Sequence, residues 1–215
     1  MLEDEGHIDG KRIILPSTFI GGTRSILQLY QDAMALVKLY GKPSLFITMT
    51  ANPRWPEIKD CLVSNQVPSD RPDIISRVFK MKLDTLIRDL TINKRLGTVK
   101  SYVYTIEFHK RGIPHAHIIL ILAKNSIPNK SSQINTLVCA EMPHPTQEKK
   151  LFELVTTTML HSPCKEGLQC WTRFGCKYGY PKSYIPEKLI CKDAYPAYRR
   201  REGHVFESCG VHLYK

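Results

Sequence analysis

Hydrophobic positions that recur every three or four residues predict helices at residues 25–40, 74–93 and 148–160. Asp73 precedes the second of these stretches and is the predicted N-cap. A shorter helix is predicted at residues 56–62, after a Pro-rich turn. Between these helices lie apolar stretches without helical periodicity, so the sequence does not predict an all-helical protein.

Apolar, β-rich runs predict three strands, at residues 44–50, 99–109 and 115–122. Residues 110–114 join the last two strands as the five-residue loop of a hairpin. The order helix, strand, helix, strand, strand predicts an α+β fold in which helices flank a central, largely antiparallel sheet.

Composition changes along the chain suggest four segments. Residues 1–12 are polar and expected to be disordered, and residues 13–123 form the predicted folded core. Residues 124–160 are interpreted as a linker followed by a helix. Residues 161–215 are an irregular extension rich in Cys, Tyr and Lys.

The net positive charge of the chain favours a protein that binds a polyanion. The 215 residues carry 31 Lys and Arg against 20 Asp and Glu, a net charge of +11. Residues 1–60 are balanced, so the surplus lies in the last two thirds, as a surface that binds a polyanion requires. A solvated basic surface is the alternative. No apolar run approaches the length of a membrane span, and the acidic start lacks the apolar stretch of a secretory signal.

His115-Ala116-His117 is the first candidate metal site. Residues two apart on a strand share one face, so both imidazoles point to the same side of the sheet. With the loop at residues 110–114, His109 is expected opposite His115 and Glu107 opposite His117. Two His and a carboxylate can hold a divalent ion. Two unrelated histidines beside a hairpin are the alternative.

A second candidate metal site combines His161, Cys164, Cys170 and Cys176. One His and three Cys could close a tetrahedral zinc site in a segment that is poor in core residues. The spacing matches no common zinc finger, so buried free thiols remain the alternative. Without a secretory signal, a disulfide framework is not expected.

Basic and aromatic residues supply candidate DNA contacts. They are Arg54, Trp55, Lys110, Arg111, Lys177, Lys182, Arg199, Arg200 and Arg201. The run of three arginines could equally be a nuclear-import patch or a solvated turn. No Gly-x4-Gly-Lys-Ser/Thr loop occurs, so these residues include no ATP-hydrolysing helicase motif.

Several blocks of this sequence, in order, resemble the N-terminal domain of Helitron transposases. The blocks are LPSTFIGGTRSILQLYQDAMALV (15–37), GKPSLFITMTANPRWPEI (41–58), RPDIISRVFKMKLD (71–84), YTIEFHKRGIPHAHIILIL (104–122), HSPC (161–164), CKYGYPK (176–182) and YRRR (198–201). That domain is a relaxase-like replication-initiator nuclease with a His-hydrophobic-His motif (HUH), and a helicase follows it in the full-length family.

The resemblance implies an HUH relaxase-like or Rep-like fold and a set of ligands. His115 and His117 would bind Mg²⁺ or Mn²⁺, with Glu107 as the third ligand. His109 stands where the family more often has Gln, and is a further candidate ligand. The strand in residues 46–53 would lie beside the metal strand.

The resemblance further implies nicking of single-stranded DNA in the nucleus during rolling-circle transposition. A tyrosine would attack the phosphorus and leave a 5′-phosphotyrosine. The family's tyrosines are four residues apart on a helix, whereas Tyr178 and Tyr180 are two apart, and Tyr195 and Tyr198 three apart. The chain is therefore expected to stop before the tyrosine nucleophiles and the helicase, and to be inactive alone. A non-catalytic DNA-binding module and a zinc-stabilised interaction module are the alternative functions.

Overall fold

A computed structural model of the chain describes residues 13–108, 112–138, 140–161, 164–186, 189–190, 196–201, 205–208 and 211–214. The chain divides into two compact units, residues 1–127 and 128–215. The first contains the predicted sheet, and the second contains the cysteine-rich segment. The disorder predicted for residues 1–12 lies outside the described residues.

Helices and strands alternate in the first unit as the sequence predicts. In chain order its elements are α1 (Thr23–Tyr40), β1 (Leu45–Thr50), α2 (Pro56–Lys59), α3 (Pro72–Thr91), β2 (Val99–Phe108) and β3 (Pro114–Leu122). Helix α2 is one short turn and ends before the predicted residue 62. Two 3₁₀ turns, Pro68–Asp70 and Lys124–Ser126, were not predicted.

The predicted N-cap of α3 is wrong. The cap is Arg71, and Pro72 occupies the first helical position, where its fixed φ suits the helix and its missing N–H costs nothing. Asp73 lies in the first turn instead. Its carboxylate accepts two hydrogen bonds from the Arg71 guanidinium, at 2.9 and 2.8 Å.

The α+β fold with a central antiparallel sheet is confirmed. The sheet of the first unit has three strands in the order β1-β3-β2, and both pairings are antiparallel. Strand β3 is therefore central and has a partner along each edge. Of residues 46–53, those up to Thr50 belong to strand β1 and lie beside β3, as the resemblance implies, and residues 51–53 follow the end of the strand.

The predicted register of the hairpin is wrong by two residues. Glu107 pairs with His115, not with His117, and Phe108 pairs with Pro114. Strand β2 ends one residue earlier and β3 begins one residue earlier than predicted, so five residues of the sequence, 109–113, separate the two strands. A shift of two residues keeps every side chain on its predicted face. His109, the other residue in the predicted register, lies outside the described residues.

The core of the first unit lies between α3 and one face of β3. Its buried apolar residues are Ile75, Phe79, Leu83 and Leu90 of the helix, Ala116, Ile118 and Leu120 of the strand, and Ala51 and Ile58 nearby. The helix and the strand therefore each present a row of apolar side chains, which recur every three or four residues on the helix and every two residues on the strand.

The second unit has little regular structure. Its elements are α4 (Ser131–Leu137), α5 (Lys149–Thr158), β4 (Trp171–Thr172), β5 (Gly175–Cys176), β6 (Leu189–Ile190), β7 (Pro196–Ala197), β8 (Val205–Ser208) and β9 (Val211–Tyr214). The strands pair consecutively as two-stranded antiparallel hairpins. Helix α5 confirms the helix predicted at residues 148–160, whereas α4 lies in the predicted linker. Where burial is described, three residues of this unit are buried: Met142, Pro143 and Cys170.

Replacing Phe79 by Ala should destabilise the first unit by about 3–5 kcal/mol, because the ring is 1% exposed and its loss leaves a cavity in the core. Urea unfolding followed by Trp55 fluorescence, in a Trp171→Phe background, measures the effect. Met81→Ala is the matched control on the same helix, since Met81 is 70% exposed and should cost less than about 0.5 kcal/mol. Equal losses in the two variants would contradict the assigned core.

Candidate functional site

The face of the sheet opposite α3 carries two rows of polar side chains across its strands. One row is Thr50, His115 and Glu107, and the next is Thr48, His117 and Thr105. Each row takes one residue from β1, one from β3 and one from β2. Strand parity alone thus brings His115, His117 and Glu107 to one face, as the sequence predicts.

His117 is held by neighbours from both flanking strands. A carboxylate oxygen of Glu107 lies 3.5 Å from its Nε2 atom. The ring of Phe46 stacks on the imidazole, with centroids 5.7 Å apart and planes inclined by 18°. The Nδ1 atom is buried and has no hydrogen-bond partner among the described residues. A buried imidazole nitrogen without a partner indicates a position where a further group would be stabilised.

His115 is oriented from β1. Its Nδ1 atom is within hydrogen-bond distance of the Thr50 hydroxyl, at 2.5 Å, with the donor set by the tautomer. The rings of His115 and His117 meet edge to face, with centroids 4.5 Å apart. The two imidazoles are therefore adjacent on an open face, at the end of the sheet where the hairpin loop begins.

These three side chains are close in pairs but do not form a closed ligand set. Among the described residues, the group whose ligand atoms all lie within 4.8 Å of one another is His161, Cys164 and Cys176. The Glu107 side chain is 63% exposed, so it can change rotamer without disturbing the core. Two imidazoles and a carboxylate suit Mn²⁺, and the carboxylate suits Mg²⁺.

The second predicted cluster also comes together. His161 Nε2 lies 3.3 Å from Cys164 Sγ and 3.4 Å from Cys176 Sγ, and the sulfur atoms of Cys164 and Cys170 are 3.5 Å apart. The three thiols are free cysteines. This cluster could hold a metal ion.

The thiols of this cluster differ in acidity. Desolvation, together with hydrogen bonds to Cys176 and Cys170, raises the pKa of the Cys164 thiol to about 12. Desolvation acts in the same direction on Cys176, but hydrogen bonds from nearby backbone N–H groups outweigh it and lower its pKa. The backbone therefore favours a thiolate at Cys176.

The candidate DNA contacts of the first unit differ in their exposure to solvent. Arg54 is exposed. Trp55 packs partly buried against the core, and Lys82 lies over its ring at 5.0 Å while pairing with Glu57 at 2.7 Å. Trp55 is thus largely a packing residue. Lys110 and Arg111 lie outside the described residues.

Lys177 and Lys182 accompany exposed aromatic rings in the second unit. Lys177 lies 5.9 Å from the Tyr178 ring centroid, and Lys182 lies 4.9 Å from that of Tyr180. The Lys182 ammonium also donates to the Tyr178 carbonyl, at 2.6 Å. Phe174, at 87% exposure, lies between the two short strands of the β4–β5 hairpin. Exposed rings beside ammonium groups are the surface that single-stranded nucleic acid favours.

The arginine run binds a buried carboxylate that the sequence analysis missed. The Glu141 side chain is 8% exposed and accepts Arg201 Nε at 2.7 Å and Nη2 at 2.8 Å. Arg199 Nη2 is 3.5 Å from the same carboxylate. The Arg201 hydrogen bond is the main cause that lowers the pKa of Glu141 to about 2. Arg200 joins Ile185 through backbone hydrogen bonds. No pattern signals Glu141, because it is a lone acidic residue in a polar stretch.

The expectation of missing tyrosines overlooks one pair, since Tyr180 and Tyr184 are four residues apart. The structure places no helix between them, and Pro181 follows Tyr180 directly. Tyr180 instead stacks on His161, with ring centroids 4.4 Å apart. This pair is therefore not displayed on one helix face, although it has the family's spacing.

Comparison with protein families matches the Helitron helicase-like domain at N-terminus, over residues 3–120. The match spans more than half of the chain, includes β1, β2, both histidines and all but the last two residues of β3, and ends before the cysteine cluster. The chain belongs to this family and is a Helitron transposon-associated protein, which suggests an association with DNA. A search of curated proteins found no match. None of the described helices is long and apolar enough to cross a membrane.

Replacing Glu141 by Gln should destabilise the second unit at pH 7 by about 1–3 kcal/mol. Breaking a fully buried ion pair costs about 3–5 kcal/mol, and Arg201 is 60% exposed, so the loss is smaller here. Urea unfolding followed by Trp171 fluorescence, in a Trp55→Phe background, measures it. Glu153→Gln on α5 is the exposed control.

The Glu141 contribution should also depend on pH. Because the folded-state pKa is lowered, the stabilisation is complete above the ordinary value of 4.5 and is lost as pH falls toward about 2. The difference between the wild type and Glu141→Gln should therefore shrink between pH 5 and pH 3. A difference that stays constant over this range would contradict an ion-paired Glu141.

Proposed function

We propose that this chain is the metal-dependent single-stranded DNA binding and nicking domain of a rolling-circle Helitron transposase acting in the nucleus, and that its described residues do not display the tyrosine nucleophile. The supporting observation is the open face of β3, where His115 and His117 are adjacent and Glu107 lies 3.5 Å from His117. Family membership supports the association with DNA.

The donor set fits a divalent ion. His115, His117 and Glu107 would hold Mg²⁺ or Mn²⁺, and the buried Nδ1 atom of His117, unpartnered among the described residues, is consistent with a site that a further group completes. When bound, such an ion polarises a phosphate oxygen and neutralises charge at the phosphorus.

The chain's own residues would prepare this site. The Phe46 ring, stacked on His117, limits rotation of that imidazole. The Thr50 hydroxyl, hydrogen-bonded to His115 Nδ1, orients the second imidazole from the same strand, β1. Because all of these residues are on strands, the histidines are placed more rigidly than loop residues would be.

Single-stranded DNA is the proposed substrate because exposed rings and ammonium groups occur together. Lys177, Lys182, Tyr178 and Phe174 can contact phosphates and stack on unpaired bases. Arg199 and Arg201 are partly neutralised by Glu141, so they would contribute less than their number suggests.

A second candidate function is DNA binding without catalysis. It is favoured by the tyrosines, because Tyr180 and Tyr184 are not displayed on a helix in the described residues. In that case the chain binds DNA but forms no covalent phosphotyrosine, so a denaturing gel shows no protein–DNA adduct.

The histidine site should bind about one Mn²⁺ per chain, and His115→Ala with His117→Ala should abolish this binding. Calorimetric titration with Mn²⁺ measures it, and thiolates contribute little because they prefer softer ions. Thr105→Val is the matched control, since Thr105 pairs directly with His117 and keeps a β-branched shape when replaced. Unchanged Mn²⁺ binding in the double variant would reject the histidine site.

Affinity for single-stranded DNA should fall steeply with salt. About five phosphate contacts give a slope of log K against log salt of roughly −3 to −4. Lys177→Gln with Lys182→Gln should reduce the magnitude of that slope by about 1, as measured by fluorescence anisotropy. Lys80→Gln is the control, because Lys80 already pairs with Asp84. A flat salt response would show that phosphate contacts are not the source of binding.

A further inference from the structure

We propose that His161, Cys164, Cys170 and Cys176 form a structural zinc site that holds the second unit together. His161 Nε2, Cys164 Sγ and Cys176 Sγ lie within 4.8 Å of one another, and Cys170 Sγ, which is outside that group, lies 3.5 Å from Cys164 Sγ. This site is separate from the histidine face of the sheet, and its existence does not depend on the proposed nuclease function.

Three of the separations between these atoms match the edges of a tetrahedral site, and Cys170 completes the site only by moving closer to the other ligands. With bonds of about 2.3 Å to sulfur and about 2.0 Å to nitrogen, the edges of a zinc tetrahedron measure about 3.5–3.8 Å. The measured separations of 3.3, 3.4 and 3.5 Å are close to these edges. They are far longer than the bond of about 2.05 Å in a disulfide, and the three cysteines are free.

The surrounding backbone is arranged as in a site that holds thiolates. The β4–β5 hairpin brings Cys176 opposite Trp171, next to Cys170. The Tyr178 N–H points to Cys176 Sγ at 3.4 Å, and the Lys177 N–H donates to the Cys170 carbonyl at 2.7 Å. Backbone donors to sulfur stabilise the charge that a metal-bound thiolate carries.

Among its described residues, the second unit also buries little apolar surface. Where burial is described, its buried residues are Met142, Pro143 and Cys170. Its described strands are two to four residues long and pair only in twos. Isolated hairpins of this length are marginal in water. A metal that binds only the folded chain contributes its binding free energy to folding, which is why small domains with poor cores use zinc.

The donor chemistry selects zinc over the ions proposed for the histidine face. Three sulfur donors and an imidazole favour Zn²⁺, whereas Mg²⁺ and Mn²⁺ prefer oxygen ligands. With Cys170 as the fourth ligand, all positions would be filled by protein side chains, which is typical of a structural site rather than a catalytic one. The Tyr180 ring, stacked on His161 at 4.4 Å, covers one side of the cluster.

The direct test is metal content and cobalt spectroscopy on the full chain in reducing buffer. We expect one zinc per chain by elemental analysis after dialysis. Replacing zinc by Co²⁺ should produce the intense visible bands of tetrahedral cobalt and a thiolate-to-cobalt charge-transfer band. A wild-type chain that retains no zinc and shows no tetrahedral cobalt bands overturns the proposal without any variant.

Single substitutions then identify the ligands. Cys176→Ser should weaken zinc binding by more than roughly 100-fold in competition with a chromogenic chelator. Cys170→Ser should remove about a third of the charge-transfer intensity, since two of three thiolates remain. Cys61→Ser is the matched control, because Cys61 is an exposed free cysteine of the first unit. Equal zinc loss in Cys61→Ser and Cys176→Ser would overturn the assignment.

Chelation supplies a readout that distinguishes this site from the histidine face. Removing zinc should raise amide hydrogen exchange around residues 164–180 and leave the exchange of β3 unchanged. Mn²⁺ binding at the histidine face should persist in Cys176→Ser. If chelation leaves residues 164–180 equally protected, zinc does not hold this segment and the structural role is rejected.

Discussion

The pairing of β3 on both edges is the constraint on which the first unit depends. A strand with one neighbour can slip, whereas β3 is hydrogen-bonded to β1 and β2 at once, so a slip would break two ladders. Alternation along this strand then sends Ala116, Ile118 and Leu120 into the core. The same alternation sends His115 and His117 to the opposite face. Burial of the apolar residues therefore fixes the direction of the histidines.

Periodicity was sufficient to predict this arrangement but not its register. Side-chain parity depends only on whether a position is odd or even, so the face of Glu107 survived an error of two residues. The cross-strand partner depends on where the loop closes, and residues 110–114 contain no turn pair that defines this point. Because the loop closure is not defined, the sequence predicts that Glu107 lies near both histidines but does not predict which of the two it contacts.

The second unit was harder to predict because its organisation comes from polar contacts between residues distant in the chain. Glu141 and Arg201 are 60 residues apart, and no local pattern connects a lone carboxylate with a run of arginines. The cysteine cluster could be predicted from the sequence because cysteine is the residue that supplies thiolate ligands, and its clustering is visible in the sequence. Two of the candidate DNA contacts, Arg199 and Arg201, share the Glu141 carboxylate, which the net charge alone does not reveal.

The two candidate metal sites differ in how the chain supports them. At the histidine face the backbone is a regular sheet that folds around its own apolar core, so the ligands are placed before any ion arrives. In the cysteine segment the ligands come from a loop and a short hairpin, and little apolar surface is buried around them. Metal binding at the first site would add a property to a fold that already exists. At the second site, binding and folding would be one equilibrium, because the same contacts that would coordinate an ion bring the segment together.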